Sequence, residues 1–389
     1  MRKICLVTTT RAEYGIMSRL IDLLQNDEDV TFSLIASGTH LSTRFGMTVS
    51  ELEGKGVHIT RKIDIGLDSF PDGAQAEVMA CALVRFTEAF KELRPDIVIL
   101  LGDRYEMMAV AMACTLCCIP IAHLHGGETT EGATDEVFRH SITKASHLHF
   151  TSCEAYRQRV IQLGESPDRV FNVGALGVEN ARKIPLLDRK SLEESLGITF
   201  RKRILAVTFH PESFSPGAAE HQMSELVSAL EEQTDCTIII TRPNADAENV
   251  VINEKIDSFV ARCDAAHAYT SLGMLRYLSL LSISDAVVGN SSSGIIEAPS
   301  FGCATVNIGD RQKGRIQAAS VINCRADRNE ILASLEKAYS AEFRKNIATA
   351  LNPYEGKDTA ERILSIVKSF PLDSIAQKTF YDIEVTHGC

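Results

Sequence analysis

The side chains best suited to acid–base chemistry gather in two segments in the first half of the chain. The segment 123–128 (HLHGGE) places two histidines and a glutamate close together, and the segment 135–141 (DEVFRHS) follows after a short loop. Imidazole and carboxylate groups exchange protons near neutral pH when burial and neighbouring charges shift their pKa values. Because strand side chains alternate, we expect His123 and His125 on one face of a sheet. The pattern indicates acid–base chemistry, with a metal site and a satisfied polar core as the alternatives.

Two further polar segments stand where a strand gives way to a helix. In the segment 102–106 (GDRYE), Asp103 could be either a helix cap or a buried base. The segment 8–15 (TTTRAEYG) leads into a helix whose N-terminal N–H groups, together with Arg11, would attract an anion. The alternative there is plain N-capping by a threonine, with a solvated arginine.

In the second half, small polar residues gather in the segment 289–297 (GNSSSGIIE), directly after an apolar run. Backbone amides, three hydroxyls and the positive end of a helix dipole suit a diphosphate, and Glu297 could accept hydrogen bonds from a ribose diol. An ordinary serine-rich turn is the alternative. The segment lacks the Gly-Lys-Ser/Thr ending of a Walker A loop. His210 follows the first strand of this half and could donate to a phosphate or act as an acid.

The elements that must position these residues alternate between strands and helices along the chain. Apolar runs of strand length separated by helix-period segments are typical of parallel sheets built from βαβ units. We therefore predict an α/β protein of two doubly wound domains that bind ligand in a cleft, at the carboxyl ends of their strands. The predicted strands cover residues 4–8, 32–36, 57–61, 97–101, 120–125, 147–151 and 170–173, then 204–209, 237–241, 266–270, 286–288 and 305–308.

A charged and less periodic stretch, 179–202, separates the two sets of elements. We predict an N-terminal domain over residues 1–176 and a C-terminal domain over 177–355. The tail, 356–389, is predicted to be helical at first and to pack back on the N-terminal domain.

Composition narrows the partners and the compartment. The 389 residues carry 40 Lys and Arg against 51 Asp and Glu, a formal net charge of −11, so nucleic acid and anionic membranes are poor partners. The first apolar run is too short for a signal peptide or a membrane span. Eleven cysteines, an odd number found mostly in apolar runs, favour free thiols. We expect a cytoplasmic protein.

Together these segments resemble the UDP-N-acetylglucosamine 2-epimerases, specifically the hydrolysing branch that feeds bacterial sialic acid synthesis. The resemblance implies two Rossmann-like domains in a GT-B arrangement with an inter-domain cleft. It also implies a UDP-sugar as substrate, no metal or other cofactor, and a homodimer or homotetramer. The resemblance covers nearly the whole chain, in the segments 10–15, 38–40, 102–104, 125–128, 139–144, 209–211, 289–297 and 307–315.

In the implied reaction, UDP-N-acetylglucosamine and water give N-acetylmannosamine and UDP. The C2 proton and UDP are lost first, which leaves 2-acetamidoglucal, and water then adds to this intermediate. Two alternatives stay open. One is the same chemistry on UDP-2,4-diacetamido-2,4,6-trideoxyglucose for legionaminic acid synthesis, and the other is a non-hydrolysing 2-epimerase that keeps UDP in its product.

The resemblance implies site residues on both domains. His125 stands where many members of the family carry a catalytic glutamate, so its role as acid or base stays open. The candidate catalytic residues are Asp103, His125, Asp135 and His210. The candidate substrate-binding residues are Arg11, Tyr14, His40, Arg104, Glu128, Arg139, His140, Asn244, Asn290, Ser291, Ser292, Ser293, Gly294, Glu297 and Arg311.

Overall fold

The contacts within the computed structural model divide the chain into two compact units. The first unit comprises Met1–Glu128, Asp135–Glu179 and Tyr354–Cys389, and the second comprises Thr129–Thr134 and Asn180–Pro353. The structure describes residues 1–54, 56–71, 73–212, 217–243, 248–373 and 375–383.

The first unit is built on a parallel sheet. Its strands are β1 (Arg2–Thr8), β2 (Val30–Ser37), β3 (Arg61–Ile63), β4 (Ile97–Leu101), β5 (Ile121–Leu124), β6 (Leu148–Thr151) and β7 (Val170–Asn172). Within the described residues their order is β3-β2-β1-β4-β5-β6-β7. Successive strands are therefore added on one side of β1 up to β3 and on its other side from β4 onward. The first helices are α1 (Arg11–Gln25), α2 (Val49–Gly54), α3 (Gln75–Leu93), α4 (Tyr105–Leu116), α5 (Asp135–Ala145) and α6 (Glu154–Gln162).

Helices cover both faces of this sheet, which explains why its strands are apolar almost throughout. Along β1, Ile4 and Leu6 pack in one core with residues of α1, whereas Cys5 and Val7 pack in another with residues of α3 and α4. All five residues of β4 are buried. The sheet is therefore a rigid support for the loops at its carboxyl edge.

The second unit has the same architecture. Its strands are β8 (Arg203–Thr208), β9 (Cys236–Thr241), β10 (Ala266–Tyr269), β11 (Ala286–Gly289), β12 (Ala304–Ile308) and β13 (Val321–Cys324). Among the described residues their order is β10-β9-β8-β11-β12-β13, with the reversal between β8 and β11. The helices that follow along the chain are α7 (Leu176–Lys183, which spans the boundary between the units), α8 (Arg189–Leu196), α9 (Ala219–Glu231), α10 (Asn249–Arg262), α11 (Gly273–Ile283), α12 (Ser293–Ile296), α13 (Arg328–Tyr339) and α14 (Ala341–Ile347).

The last helix, α15 (Thr359–Ser369), belongs to the first unit. It packs against α1, and its residues Ala360, Ile363 and Val367 share a core with Ile4. Short 3-10 helices occur at Gly38–Leu41, Pro167–Arg169 and Ala298–Phe301. No helix in the described part of the chain is long and apolar enough to cross a membrane.

Three local predictions were wrong. The strand predicted at 57–61 forms only from Arg61 onward, because the Val57 N–H closes the end of α2 by donating to the Leu52 carbonyl (3.1 Å). The short strand β13 was missed. The stretch 179–202 contains α8, whose N-cap Asp188 accepts from the Ser191 N–H and whose end is Gly197 in the left-handed conformation. Both caps of α8 are readable in the sequence.

Candidate active site

Each sheet reverses its strand order once, and ligands of such sheets bind outside the carboxyl ends of the strands at that point. In the first unit the reversal lies between β1 and β4. The residues that follow these strands are Thr9 to Arg11 and Gly102 to Arg104. The chain thus places Asp103 directly at the switch point of the first unit.

Asp103 is held by a buried arginine and is not a helix cap. The guanidinium of Arg139, whose side chain is 1% exposed, donates through Nη2 to Asp103 Oδ2. Its Nη1 donates to Glu136 Oε2 (2.6 Å) and to the Glu128 carbonyl oxygen (3.1 Å). The N-cap of α4 is Arg104, and no side chain caps that helix. Because a buried charge needs such partners, the arginine fixes both carboxylates in place.

Glu136 is a component of this network that the sequence analysis did not select. Its Oε1 lies 3.0 Å from His140 Nε2, while Oε2 accepts from Arg139. On α5, Glu136 stands three residues before Arg139 and four residues before His140. This helical spacing is the sequence signal that could have identified Glu136. Asp135 is the first residue of the same helix and is half-buried.

His125 and Glu128 form a second pair. The Nδ1 atom of His125 lies 3.0 Å from Glu128 Oε1, and the Ser152 hydroxyl donates to the same carboxylate oxygen (2.7 Å). The backbone of His125 has a φ of 65°, and its N–H donates to the Phe150 carbonyl (2.8 Å). We use the name first-unit network for these connected residues: Asp103, His125, Glu128, Glu136, Arg139, His140 and Ser152.

The expectation that His123 and His125 share a sheet face by alternation was wrong. β5 ends at Leu124, and the left-handed backbone of His125 removes that residue from the strand pattern. His123 is fully buried, with Nε2 2.8 Å from the Gly102 carbonyl oxygen and Nδ1 3.1 Å from Thr143 Oγ1. Burial lowers the pKa of His123 to about 3. A neutral His123 therefore fixes the end of β4 next to Asp103.

The segment after β1 is occupied by its own capping interactions. Thr10 is the N-cap of α1, and the Glu13 carboxylate accepts from the Thr9 N–H (2.7 Å) and the Thr10 N–H (3.2 Å). Burial raises the pKa of Glu13 to about 7. Arg11 Nη1 donates to Glu51 (2.7 Å). The capping alternative describes this helix start, and Arg11 lies beside it in an ion pair.

Three other predicted substrate-binding residues of this unit have structural contacts. His40 is fully buried between two hydroxyls, with Nε2 3.1 Å from Thr8 Oγ1 and Nδ1 2.9 Å from Thr48 Oγ1. Tyr14 is 7% exposed and packs in the core around α1. Arg104 Nε donates to Glu106 Oε2 (3.2 Å). The hydrogen bonds of His40 leave neither ring nitrogen available for a ligand.

In the second unit, β8 and β11 lie side by side at the switch point. Gly289 passes so close to β8 that a Cβ would lie 2.0 Å from the Thr208 carbonyl oxygen, and its φ of 129° is open only to glycine. The next side chain, Asn290, accepts from the His210 N–H (2.7 Å) and donates to the His210 carbonyl oxygen (2.8 Å). These bonds tie His210 to the start of the segment 289–297, which we name the serine loop.

The Asn290 side chain is thus committed to the backbone of His210. The Asn290 carbonyl oxygen accepts in turn from Arg311 Nη1 (3.1 Å) and from Gln312 Nε2 (2.9 Å). His210 is 7% exposed. The predicted site residues Asn290, His210 and Arg311 are therefore brought together in one cluster.

In the rest of the serine loop, the three serines are half-buried and residues 294–297 are buried. The Ser293 N–H lies 3.4 Å from Ser291 Oγ, and α12 begins at Ser293 with Ser292 as its N-cap residue. Gly294 is buried against Thr305, and Glu297 is 8% exposed. Asn244 lies outside the described residues.

Tyr277 on α11 lies near Glu297 of the serine loop and was missed by the sequence analysis. Burial raises the pKa of Tyr277 to about 12, and the nearby Glu297 charge acts in the same direction. No sequence signal could have found it, since it lies inside an apolar helical segment (GMLRYLSLLSI).

Parallel α/β units with polar side chains at their switch points define a class of ligand-binding proteins. A family model described as UDP-N-acetylglucosamine 2-epimerase matches residues 22–368, and the chain belongs to this family. The predicted family is therefore confirmed.

Three relatives align over almost their whole length. The chain is 40% identical to the GDP/UDP-N,N'-diacetylbacillosamine 2-epimerase (hydrolyzing) of Campylobacter jejuni subsp. jejuni serotype O:2, over 98% of this chain and 99% of the relative. It is 38% identical to the polysialic acid biosynthesis protein P7 of Escherichia coli, over 98% of both chains. It is 35% identical to the UDP-N,N'-diacetylbacillosamine 2-epimerase (hydrolyzing) of Legionella pneumophila subsp. pneumophila, over 96% of this chain and 97% of the relative.

Solved structures bear out the fold. The crystal structure of UDP-GlcNAc 2-epimerase from Neisseria meningitidis bound to UDP-GlcNAc gives a TM-score of 0.79 at 18% identity, over 94% of this chain and 99% of that chain. The prediction of two parallel-sheet α/β domains is confirmed. Cytoplasmic location and a homo-oligomeric state stay predictions.

Proposed function

We propose that the chain is a hydrolysing 2-epimerase of a UDP-linked 2-acetamido sugar. The first-unit network carries this proposal, because it gathers three carboxylates and two imidazoles around one buried arginine at the carboxyl ends of β4 and β5. Such a set of groups is suited to moving protons. Family membership supports the substrate class.

The proposed reaction has two steps. In the elimination, a base takes the C2 proton, the C2–H electron pair forms a C1–C2 double bond, and the C1–O pair leaves with UDP. In the hydration, water adds its hydroxyl group to C1. An acid delivers a proton to C2 on the face opposite to the one from which the first proton was taken, so that C2 is inverted. Elimination and hydration involve no net oxidation or reduction, so the proposal includes no redox cofactor.

The first unit supplies the proton transfers in this proposal. Asp103 and Asp135 are assigned to proton transfer or its support, and His125 to an acid or base step. Arg139 and Glu136 hold this set together, because Arg139 binds Asp103 and Glu136 at once. Preorganised partners of this kind avoid reorganisation during the reaction.

The second unit is assigned to the leaving group. A proton next to an acetal carbon is barely acidic, so elimination needs stabilisation of the departing diphosphate. The serine loop offers hydroxyls and backbone amides, and Asn290 fixes His210 beside it. Ser291, Ser292 and His210 are the proposed diphosphate contacts, with Arg311 as the nearby cation and Glu297 as the ribose partner.

The sugar is the open part of the proposal. Two of the three relatives described above are named for N,N'-diacetylbacillosamine, which is 2,4-diacetamido-2,4,6-trideoxyglucose. The third is named for polysialic acid biosynthesis and is 38% identical. We therefore put UDP-N,N'-diacetylbacillosamine first, and UDP-N-acetylglucosamine is the second candidate.

Turnover of both sugars by the purified protein tests the proposal. Chromatography with mass spectrometry should detect equal amounts of UDP and a free epimerised sugar from one of the two substrates. Asp103→Asn and Asp135→Asn should lose nearly all turnover while keeping their calorimetric affinity for UDP. An epimerised sugar still linked to UDP would instead identify a non-hydrolysing enzyme, and full activity in either variant would remove that residue from the mechanism.

A further inference from the structure

We propose that Glu128 is a positioning residue that fixes the tautomer of His125, so that Nδ1 carries the proton and Nε2 faces the reaction with its lone pair. This inference rests on the proposed function in assigning the proton transfer of His125 to Nε2. It concerns a position that the sequence analysis left open between acid and base.

The contacts of Glu128 define which imidazole nitrogen bears the proton. Its carboxylate is 3% exposed and lies 3.0 Å from His125 Nδ1. An ionised carboxylate only accepts hydrogen bonds, so Nδ1 must donate. The fully buried Ser152 hydroxyl donates to the same oxygen of Glu128 (2.7 Å), which holds the carboxylate in place.

The other nitrogen of His125 is buried and unused. Among the described residues, no hydrogen-bond partner lies within reach of Nε2. A buried polar atom without a partner costs free energy, so its presence calls for an explanation such as a catalytic role. His125 also adopts a φ of 65°, a conformation that a non-glycine residue holds only under constraint. Its N–H bond to Phe150 supplies part of that constraint.

The neighbouring histidines differ from His125 in the partners of their ring nitrogens. His123 and His40 each have partners at both ring nitrogens. His149 also contacts a glutamate, with Nε2 3.0 Å from Glu165 Oε2, but that carboxylate binds Lys144 and Lys378 as well. The Nδ1 atom of His149 is also buried without a partner among the described residues, but the Glu165 charge beside its Nε2 is shared with two lysines.

The chemical consequence follows from charge balance. When Nε2 takes a proton, the ring becomes an imidazolium cation, and the adjacent Glu128 carboxylate stabilises it. The orientation of the ring is fixed at the same time, as in other carboxylate–histidine pairs. A carboxylate that fixes an imidazole in this way explains how histidine can stand where the family resemblance leads us to expect a glutamate.

The tautomer can be read directly by NMR on protein labelled with 15N-histidine. Long-range 1H–15N spectra near pH 8 should show His125, assigned by its loss in His125→Gln, as the Nδ1–H tautomer. Glu128→Gln should shift this signal towards the Nε2–H tautomer and lower kcat about 100-fold or more with KM changed less than about threefold. Glu165→Gln is the matched control, because it should alter the signals of His149 and leave those of His125 in place.

Two results would overturn the inference. One is a wild-type His125 in the Nε2–H tautomer, and the other is a folded Glu128→Gln protein with unchanged spectra and kcat. Ser152→Ala provides a milder second variant if Glu128→Gln fails to fold, and it should shift the same His125 signals in the same direction. The spectra need no turnover, so the inference on Glu128 can fail or hold independently of the proposed function.

Discussion

At the scale of single residues, burial decides what each imidazole can do. His40, His123 and His147 lie in the first unit, and burial lowers their pKa values to about 4, 3 and 4. They are therefore neutral in the folded protein at pH 7. His125 differs from His40 and His123 because one of its nitrogens has no partner among the described residues.

These histidines predict a loss of stability in acid. Below pH 6.5 these histidines bind protons in the unfolded chain but stay neutral in the folded chain. The free energy of unfolding therefore falls as pH drops from about 6.5 towards 4. Each histidine contributes about 1.4 kcal/mol per pH unit at most in that window. The Glu13 carboxyl has the opposite effect on stability and offsets about one histidine. Its pKa is raised to about 7, so the stability that it contributes is present at low pH and is lost as pH rises through 7.

Chemical denaturation between pH 7 and 5 measures this slope. The net change should be a fall in stability on acidification, and a folded His40→Gln variant should show a slope smaller by about one proton. A stability that stays constant or rises between pH 7 and 5 would contradict the neutral state of these histidines.

Two of the candidate residues selected from the sequence lie together in the structure. Asp103 and Arg139 were selected from separate segments, and the structure joins them in one ion pair. Tyr14 and His40 were selected with them, yet both are buried in structural contacts. Residue type cannot distinguish a ligand contact from a core hydrogen bond, because that depends on burial, which only the packed structure defines.

At the scale of elements, the serine loop depends on one backbone contact. Gly289 ends β11, and its backbone lies against Thr208 at the end of β8. Any Cβ here would require the two central strands to separate. This contact also brings Asn290 to the backbone of His210.

Gly289→Ala should therefore destabilise the protein strongly. We expect a loss of at least about 3 kcal/mol, since a methyl group would meet a carbonyl oxygen and φ would be strained. Gly54→Ala is the control, because a Cβ there meets nothing within 4 Å and alanine favours the helix. Thermal unfolding measures both, and equal stabilities for the two variants would contradict the described strand contact.

Strands buried on both faces were the most predictable elements. The strand at Ile97–Leu101 was predicted with its observed bounds, because a short continuous apolar segment is typical of a strand buried on both faces. The short β13 contains a polar residue, Asn323, whose hydrogen bonds to Asn307 and Gln317 are tertiary contacts. A four-residue strand that includes a polar side chain has no continuous apolar run, so the sequence pattern did not indicate β13.

At the scale of the whole molecule, the two parallel-sheet units carry different sets of polar side chains. The first unit holds the first-unit network around Arg139, and the second holds the serine loop with His210. The alternation of elements along the chain predicted both sheets. It could not predict that the segment 129–134 belongs to the second unit, where the Glu131 N–H donates to the Lys313 carbonyl (3.1 Å).

The proposed reaction requires that the C2–H bond breaks before water adds. Proton NMR of the reaction in deuterated water, with UDP-N,N'-diacetylbacillosamine and UDP-N-acetylglucosamine assayed separately, tests it most directly. We expect release of UDP and a free 2-epimerised sugar that carries one deuterium at C2. Release of UDP with an unepimerised sugar that keeps its C2 proton would show simple hydrolysis and would rule out the proposed elimination.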